Sequence, residues 1–221
     1  EVHKMKHAFA FKRSSEVIYQ NQDGSTRNKV TRVYEVKPKN GELDTKLLTV
    51  NGKAPSESEL QKSSNVRETG EKSRKLEVNA ELIARYLFTL GPSEVMNGRP
   101  VYTIYFRPRP DAPSNAFFDK LINAMFGELY IDQEDFQVLK ATAHLSKKIS
   151  FFGGIAGAIE QLDLSIVQRR IERGVWVPEL TLIDFNGRKL FSDLKFRCEE
   201  RCGEYQKVAA ENATTALAGS R

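Results

Sequence analysis

Three carboxylates lie within four positions near the middle of the chain, at Asp132, Glu134 and Asp135. Such a cluster could hold a calcium ion or supply the acid and base of a glycosidase. A calcium loop needs oxygen ligands at alternating positions and a glycine, and the stretch DQEDFQ has neither. A glycosidase needs one carboxyl in an apolar pocket, whereas adjacent turn residues face water. Because apolar strands flank the cluster, the sequence predicts a hairpin turn with solvent-facing carboxylates.

Other residues that could support catalysis or bind a metal are isolated along the chain. His3 and His7 have the spacing of a helical metal pair, but the alternation around them is that of a strand. The glycine-rich stretch FFGGIAGA lacks the Lys-Ser/Thr pair of a phosphate-binding loop, which favours a flexible loop. No serine lies in a nucleophile-elbow context. We therefore predict no catalytic residue, no metal site, no cofactor and no enzymatic activity.

The two cysteines of the chain are Cys198 and Cys202. On an extended strand this spacing separates the sulfur atoms by about 13 Å, which is too far for a disulfide bond. A curled chain near Gly203 would allow one, so the sequence leaves open whether the pair is free or bonded. The alternation places Cys198 on the same face as Leu194 and Phe196, which predicts a small core residue.

The composition is that of a globular protein with a basic surface. Hydrophobic residues make up 40% of the 221 residues and charged residues 29%, which excludes disordered and fibrous proteins. The net charge of +5 favours anionic partners such as a membrane surface. Lys and Arg nonetheless interleave with Asp and Glu along the chain, and no RNA-binding motif occurs. We therefore expect no nucleic-acid partner.

Extended segments dominate the first fifty positions. The alternation predicts strands over residues 7–19 and 26–38, and a third strand that ends at the turn signal Asn51-Gly52. From residue 55 to about 83 the composition changes to Ser, Glu, Lys and Arg. Ser56 and Glu59 have the spacing of a capping box. This segment is predicted to be an exposed helical insert.

The middle of the chain predicts a hairpin followed by one short helix. Asn97-Gly98 is a two-residue turn signal, and the VYTIYF segment after it is strongly strand-forming. Residues 115–125 then carry apolar side chains at helical spacing, which predicts an amphipathic helix that packs on the sheet. Its apolar face consists of Phe117, Leu121, Ala124 and Met125.

The last ninety residues predict an antiparallel meander, in which Asn186-Gly187 is the turn of the final hairpin. The whole chain then has roughly nine or ten strands, and open sheets of that width curve. The predicted fold is α+β and mainly antiparallel β, with short helices on the concave face. We expect one domain over residues 1–208 and a disordered tail over residues 209–221.

Three segments, in this order, carry a resemblance to a known family. They are MNGRPVYTIYFRPRP (96–110), FGELYIDQEDFQVLKATAHL (126–145) and ERGVWVPELTLIDFNGRKLFSDLKF (172–196). Together they resemble the LolA-like, outer-membrane lipoprotein-sorting proteins, and the chain is similar to their uncharacterised relatives. The resemblance implies an incomplete β-barrel, or half-barrel, lidded by short helices around an apolar cavity that takes lipid acyl chains. It also implies a periplasmic or otherwise extracytoplasmic location. Because the chain begins at Glu1, we expect a signal peptide to have been removed.

Two functions are compatible with these features. The first is a non-enzymatic carrier or sensor that binds a lipid, a lipoprotein acyl chain or another hydrophobic ligand in the half-barrel. The alternative is a structural module of the cell envelope that binds a protein partner and has no small-molecule ligand. An unbroken apolar cavity of several hundred Å³ would favour the first. The residues predicted to line it are Phe106, Phe117, Leu121, Met125, Leu164 and Trp176.

Overall fold

The computed structural model describes residues 9–39, 42–63, 80–114, 117–151, 157–190 and 192–208. Within these ranges eleven strands form one sheet. The strands are β1 (Phe9–Gln20), β2 (Thr26–Lys39), β3 (Glu42–Val50), β4 (Tyr86–Met96), β5 (Arg99–Pro108), β6 (Met125–Asp132), β7 (Val138–Leu145), β8 (Ile149–Phe151), β9 (Gly157–Glu172), β10 (Val175–Lys189) and β11 (Ser192–Lys207). The helices are α1, described over residues 57–63, α2 (Ala80–Ala84) and α3 (Phe117–Ile122).

The strands pair in the order β3-β2-β1-β11-β10-β9-β7-β6-β5-β4, and β8 pairs with β9 beside this path. Every pairing is antiparallel. Strands β3 and β4 are the two edges and do not pair with each other, so the sheet is open as well as curved. The predicted class, a curved and incomplete antiparallel sheet with short helices, is confirmed. The sheet has one or two strands more than the roughly nine or ten expected.

Asn-Gly pairs form two of the predicted turns. Asn51 and Gly52 have φ values of 50° and 75°, and Asn97 and Gly98 have φ values of 52° and 75°. Two consecutive positive φ angles define the tight hairpin turn whose twist matches that of the flanking strands. The sequence signal therefore predicted both the position and the geometry of these turns.

The turn predicted at Asn186-Gly187 is wrong. Strand β10 continues through both residues to Lys189, and the chain reverses at Leu190, whose φ is 54°. Gly187 is needed for close packing, because a Cβ atom there would lie 2.6 Å from the carbonyl oxygen of Ala158 on β9. A shift in the β9–β10 register also falls between Asn186 and Gly187. Pairing with both neighbouring strands thus overrides the local turn signal.

Helices α1 and α3 form where the sequence predicts helices, and α3 is shorter than predicted. Helix α1 begins with the predicted capping box, in which the Ser56 backbone N–H donates to Glu59 Oε2 at 2.8 Å. Residues 64–79 of the predicted helical insert lie outside the described residues, as do the tail 209–221 and most of FFGGIAGA. Helix α3 ends at Ile122, so Met125 opens strand β6 instead of closing the helix.

Candidate functional site

One face of the sheet, which we call the inner face, is apolar across nearly its whole width. Residues that pair directly across neighbouring antiparallel strands share a face, and the register joins one such row from β2 to β4. Its members are Val30, Val17, Cys198, Ile183, Leu164, Ala143, Gly127, Phe106 and Phe88. A second row, across β9 to β4, contains Ile166, Ala141, Leu129, Ile104 and Leu90.

Aromatic rings extend the inner face towards the β1–β2 turn. Tyr19, Phe196, Phe185 and Leu162 form a third row, in which the rings of Phe185 and Phe196 stack with centroids 5.1 Å apart. A shallow cavity of about 200 Å³ beside Phe185 and Leu194 lies next to this row. The apolar surface is therefore continuous from the aromatic end to strand β4.

The inner face is covered only in part. Nearly all the apolar side chains of the three rows are half-buried; only Cys198 is buried, and Phe88 and Leu90 are exposed. A side chain that packs in a protein core loses almost all of its contact with water. The described residues therefore do not fill the inner face as a solid core would.

The opposite, outer face is mixed: it carries ion pairs across neighbouring strands as well as apolar side chains such as Leu182 and Val101. Arg197 and Asp184 form an ion pair at 2.9 Å across β10 and β11, and Lys29 and Glu16 form one at 2.8 Å across β1 and β2. His144 and Asp163 pair across β7 and β9, and His144 Nδ1 lies 2.6 Å from Asp163 Oδ1. Ion pairs of this kind are typical of the solvent-facing side of an antiparallel sheet.

Helix α3 is held on the inner face beside Phe106. The Tyr86 hydroxyl donates to the carbonyl oxygen of Ile122 at 2.7 Å, and the Tyr86 ring meets the Phe106 ring edge-on with centroids 5.4 Å apart. Arg85 at the end of α2 pairs with Asp119 of α3 at 2.9 Å. These contacts place α3 over the β4–β5 end of the sheet.

The predicted ligand-binding residues fall into two groups. Phe106, Met125 and Leu164 share the inner face and are half-buried. Leu121 is half-buried on α3, and Phe117 begins that helix with its side chain outside the described residues. These positions remain predictions for ligand binding.

Trp176 lies in a separate buried cluster with Val101 and Leu139. It is 3% exposed, and its indole N–H donates to Asp135 Oδ2 at 2.9 Å. Arg170 Nε lies 2.8 Å from the same carboxylate oxygen. The sequence also allowed Trp176 a packing role, and these contacts describe one.

The acidic cluster that could have been a catalytic site is a turn, as predicted, but two of its carboxylates do not face water. Asp132 is completely buried and accepts hydrogen bonds from the Arg99 guanidinium and from the backbone N–H groups of Glu134 and Asp135. The bond from Arg99 is the main reason that the pKa of Asp132 falls to about 2. The prediction of solvent-facing carboxylates was therefore wrong for Asp132 and Asp135, and holds for the exposed Glu134.

The cysteines are both free thiols. Cys198 is buried on the inner face, as predicted, with its Sγ atom 4.0 Å from Ser15 Oγ. Burial raises the pKa of both thiols, which keeps them protonated and weakly nucleophilic.

A cavity of about 670 Å³ lies between helix α1 and the inner face of β1, β2 and β3. It differs from the rest of the inner face because charged side chains line much of it. The lining residues are Arg13, Arg32, Tyr34, Asp44, Thr45, Lys46, Leu47, Glu59, Leu60, Lys62 and Ser63. The sequence did not single out Arg13 or Arg32, although their positions in alternating strands placed both on the face of Tyr34.

Two negative findings concern the described part of the chain. It contains no group of three or more His, Cys, Asp or Glu side chains that could hold a metal ion. None of its helices is long and apolar enough to cross a membrane.

Comparisons with known proteins find a likeness in structure only. No protein-family model and no curated protein matches the chain. One similar solved structure is an outer membrane lipoprotein-sorting protein domain from Vibrio parahaemolyticus, at 13% identity and a TM-score of 0.35, covering 92% of this chain and 87% of that one. Another is a DUF1329 family protein from Desulfovibrio piger, at 10% identity and a TM-score of 0.37, covering 93% and 88%.

A third similar structure is a LolA superfamily protein from Nitrosomonas europaea, at 9% identity and a TM-score of 0.32, covering 94% of this chain and 90% of that one. These names agree with the family resemblance predicted from the three sequence segments. The likeness is distant, and it carries no argument about a ligand, a partner or an activity.

Proposed function

We propose that this protein is a non-enzymatic binding protein that holds a hydrophobic ligand, such as a lipid or a lipoprotein acyl chain, on its inner face. The observation that supports this function is the continuous row of half-buried apolar side chains from β2 to β4. A bound chain would complete the burial that the described side chains leave unfinished.

The magnitude of the hydrophobic effect is sufficient for such binding. Each methylene group that leaves water contributes about 0.8 kcal/mol. A chain of about ten methylenes would therefore gain roughly 8 kcal/mol before the entropic cost of association. Association costs at least about 4 kcal/mol, so this gain alone leaves roughly 4 kcal/mol, a millimolar affinity. A stearyl chain of about sixteen methylenes gains roughly 13 kcal/mol if it leaves water entirely, which is enough for a micromolar complex at the low end of that cost.

An apolar cavity of several hundred Å³ was expected for a carrier, and the cavities that are present support the proposal only in part. A cavity of several hundred Å³ is present, but charged as well as apolar residues line it, and the smaller cavity beside Phe185 also borders Arg188 and Lys189; the apolar rows form an open face instead. This arrangement suits a ligand that lies along the sheet better than one enclosed in a pocket. We also propose an extracytoplasmic location, for which the support is the resemblance in sequence.

Titration with a fluorescent stearic acid tests the proposal. We expect saturable binding that unlabelled stearic acid reverses. Leu164→Gln should weaken it about tenfold, because an amide without a hydrogen-bond partner would face the chain. The matched control is Leu182→Gln, which changes a half-buried leucine of the outer face that pairs with Ser165 and Glu199. Absence of binding, or equal losses in the two variants, would contradict the proposal.

A second candidate function is a protein-interaction module of the cell envelope. The observation that favours it is the exposed apolar surface of edge strand β4, where Leu90 is 69% exposed and Val95 is 75% exposed. Exposed apolar edges are common sites of protein association. The variant Leu90→Lys tests this function. If it abolished association with an envelope fraction, and if the wild type did not bind stearic acid, this second function would be preferred.

A further inference from the structure

Two arginines lie side by side on the inner face at the β1–β2 end of the sheet. Arg13 pairs with Tyr34, and Ser15 pairs with Arg32, so Arg13 and Arg32 are diagonal neighbours on one face. Side chains in this relation are roughly 7–8 Å apart at their backbones, within reach of each other. Two like charges so placed repel unless an anion lies between them.

Among the described residues, Arg13 is not paired with a carboxylate, although Glu200 lies on the same face of the adjacent strand β11. Its guanidinium carbon lies 4.7 Å above the centre of the Tyr34 ring, and burial raises the pKa of that tyrosine. The Nε atom of Arg13 is buried without a hydrogen-bond partner. Within the described part of the chain no ion pair is found for Arg13 or for Arg32. A buried donor without a partner costs free energy that a bound acceptor would recover.

Carboxylates near the two arginines are fewer than the cations. The cavity between α1 and β1–β3 is lined by Lys46 and Lys62 as well as the arginines, against Asp44 and Glu59. Glu59 is engaged by the backbone N–H and the hydroxyl of Ser56 at the start of α1. Glu200, which pairs with Ser15 on the same face, is the remaining acid nearby. Positive charge is therefore in excess at this end of the inner face.

The basic cavity is continuous with the apolar rows. Arg13, Ser15, Val17 and Tyr19 alternate along the inner face of β1, so a strand rise of about 3.3 Å per residue separates Arg13 from Tyr19 by about 20 Å. Val17 belongs to the row that leads to Leu164 and Phe106. A molecule that touched both regions would need a charged end and a long apolar part.

We propose that the cavity between α1 and β1–β3 binds the anionic head, a carboxylate or a phosphate, of an amphipathic ligand whose apolar chain lies along the inner face. This inference rests on the proposed function and adds the chemical class of the ligand. Arg13 and Arg32 are the residues that would contact the head. Their guanidinium groups can donate paired hydrogen bonds to either type of anion.

The test compares fluorescent stearic acid with fluorescent stearyl alcohol, which has the same chain without the charge. We expect Arg13→Gln and Arg32→Gln each to weaken stearic acid about tenfold, since each removes a hydrogen bond to a charged group. Neither variant should change the affinity for the alcohol. The matched control is Arg197→Gln, an outer-face arginine paired with Asp184, which should change neither affinity. Circular dichroism and thermal unfolding check that the variants are folded.

A measurement on the unaltered chain keeps the proposal testable if a variant fails to fold. Raising the salt concentration should weaken the binding of stearic acid and leave the binding of stearyl alcohol unchanged, because only the charged head is screened. Equal salt responses, or equal losses of both probes in the arginine variants, would overturn the head site while the proposed function stood. If neither probe bound, the proposed function itself would fail.

Inorganic phosphate distinguishes the two sources of an anion. We expect millimolar phosphate to compete weakly with stearic acid and not with stearyl alcohol. If phosphate alone bound as tightly as stearic acid, the cavity would be a site for a free anion, and the proposal of an amphipathic ligand would be overturned.

Discussion

The inner face and the cluster around Trp176 invert the usual relation between polarity and burial. Beside the cluster, Asp132 is completely buried and Asp135 nearly so, and both are satisfied by Arg99, Arg170 and backbone N–H groups. On the inner face, aliphatic and aromatic side chains that could form a core are only partly buried. Burial with every partner in place indicates a structural role, whereas apolar surface left uncovered indicates a place for something else to bind.

The largest expected effect is the loss of the anchor in the cluster. Trp176→Ala should lower the free energy of unfolding by about 3–5 kcal/mol, because it leaves a cavity beside Val101 and Leu139. It also removes the donor to Asp135. Chemical denaturation measures the loss. Trp176→Phe keeps most of the volume and should lose less; an equal loss would mean that the hydrogen bond dominates.

A pair of leucines tests the contrast directly. Leu139 is 2% exposed in the cluster, and Leu164 is half-buried on the inner face. Leu139→Ala should cost about 2–5 kcal/mol, as for other buried leucines. Leu164→Ala should cost about 1 kcal/mol, since less of its surface is withdrawn from water. Similar losses in urea denaturation would mean that the inner face is a core after all.

Ligand binding should stabilise the protein through the inner face. At a ligand concentration one hundred times Kd, stearic acid should raise the free energy of unfolding by about 2.7 kcal/mol. The same concentration should stabilise Leu164→Gln much less and Leu182→Gln as much as the wild type. Thermal unfolding at several ligand concentrations provides the measurement, and a shift independent of Leu164 would place the ligand elsewhere.

Acid should weaken the cluster through Asp132. The pKa of Asp132 is lowered from its ordinary value of 3.8 to about 2, chiefly by the hydrogen bond from Arg99. Because the folded pKa is the lower one, the stabilisation is present above about pH 4 and is lost as the pH falls towards 2.

The variant Asp132→Asn isolates this contribution. It should be less stable than the wild type by roughly 1.5–3 kcal/mol at neutral pH, and the difference should shrink between pH 4 and pH 2. Asp184→Asn, which breaks an ion pair at the surface, should cost less than about 1 kcal/mol. A difference for Asp132→Asn that did not vary with pH would show that its charge is not what stabilises the turn.

The smallest expected effect is on fluorescence. Trp176 is the one tryptophan of the chain, and it is already only 3% exposed in the cluster before any ligand binds. Stearic acid should therefore leave the emission wavelength unchanged, whereas unfolding should shift it to the red. A shift on binding would bring Trp176 back among the ligand-binding residues.

Local patterns were sufficient for the strands and for some of their turns. Asn51-Gly52 and Asn97-Gly98 adopt the predicted geometry because both residues tolerate positive φ and because strands on either side can pair at once. Asn186-Gly187 carries the same signal but lies inside β10, where pairing with β9 and β11 stabilises the extended chain. The turn signal consists of two adjacent residues, whereas the strands whose pairing prevents the turn come from other parts of the sequence.

The site was only partly predictable for the same reason. Phe106 and Leu164 lie on the inner face as alternation along a strand predicts, whereas Met125 was predicted on a helix and reaches that face by opening β6; their role in ligand binding stays a prediction. Trp176 has the size and polarity of a ligand-binding residue, and its burial depends on Asp135, which is distant in sequence. The sequence did not indicate a role for Arg13 and Arg32, because their proximity depends on the register of β1 and β2 and on the position of α1.

By itself the sequence determined that this chain forms an antiparallel sheet with one face more apolar than the other, because a period of two in hydrophobicity has no other economical fold. It also determined where turn residues such as Asn97 and Gly98 allow the chain to reverse. Only the tertiary structure decided that β1 pairs with β11, from the far end of the chain. The tertiary structure also decided that Asp132 is buried against the Arg99 guanidinium, and that Arg13 and Arg32 line one cavity. These outcomes depend on contacts between residues far apart in sequence, and no local pattern encodes which segments will meet.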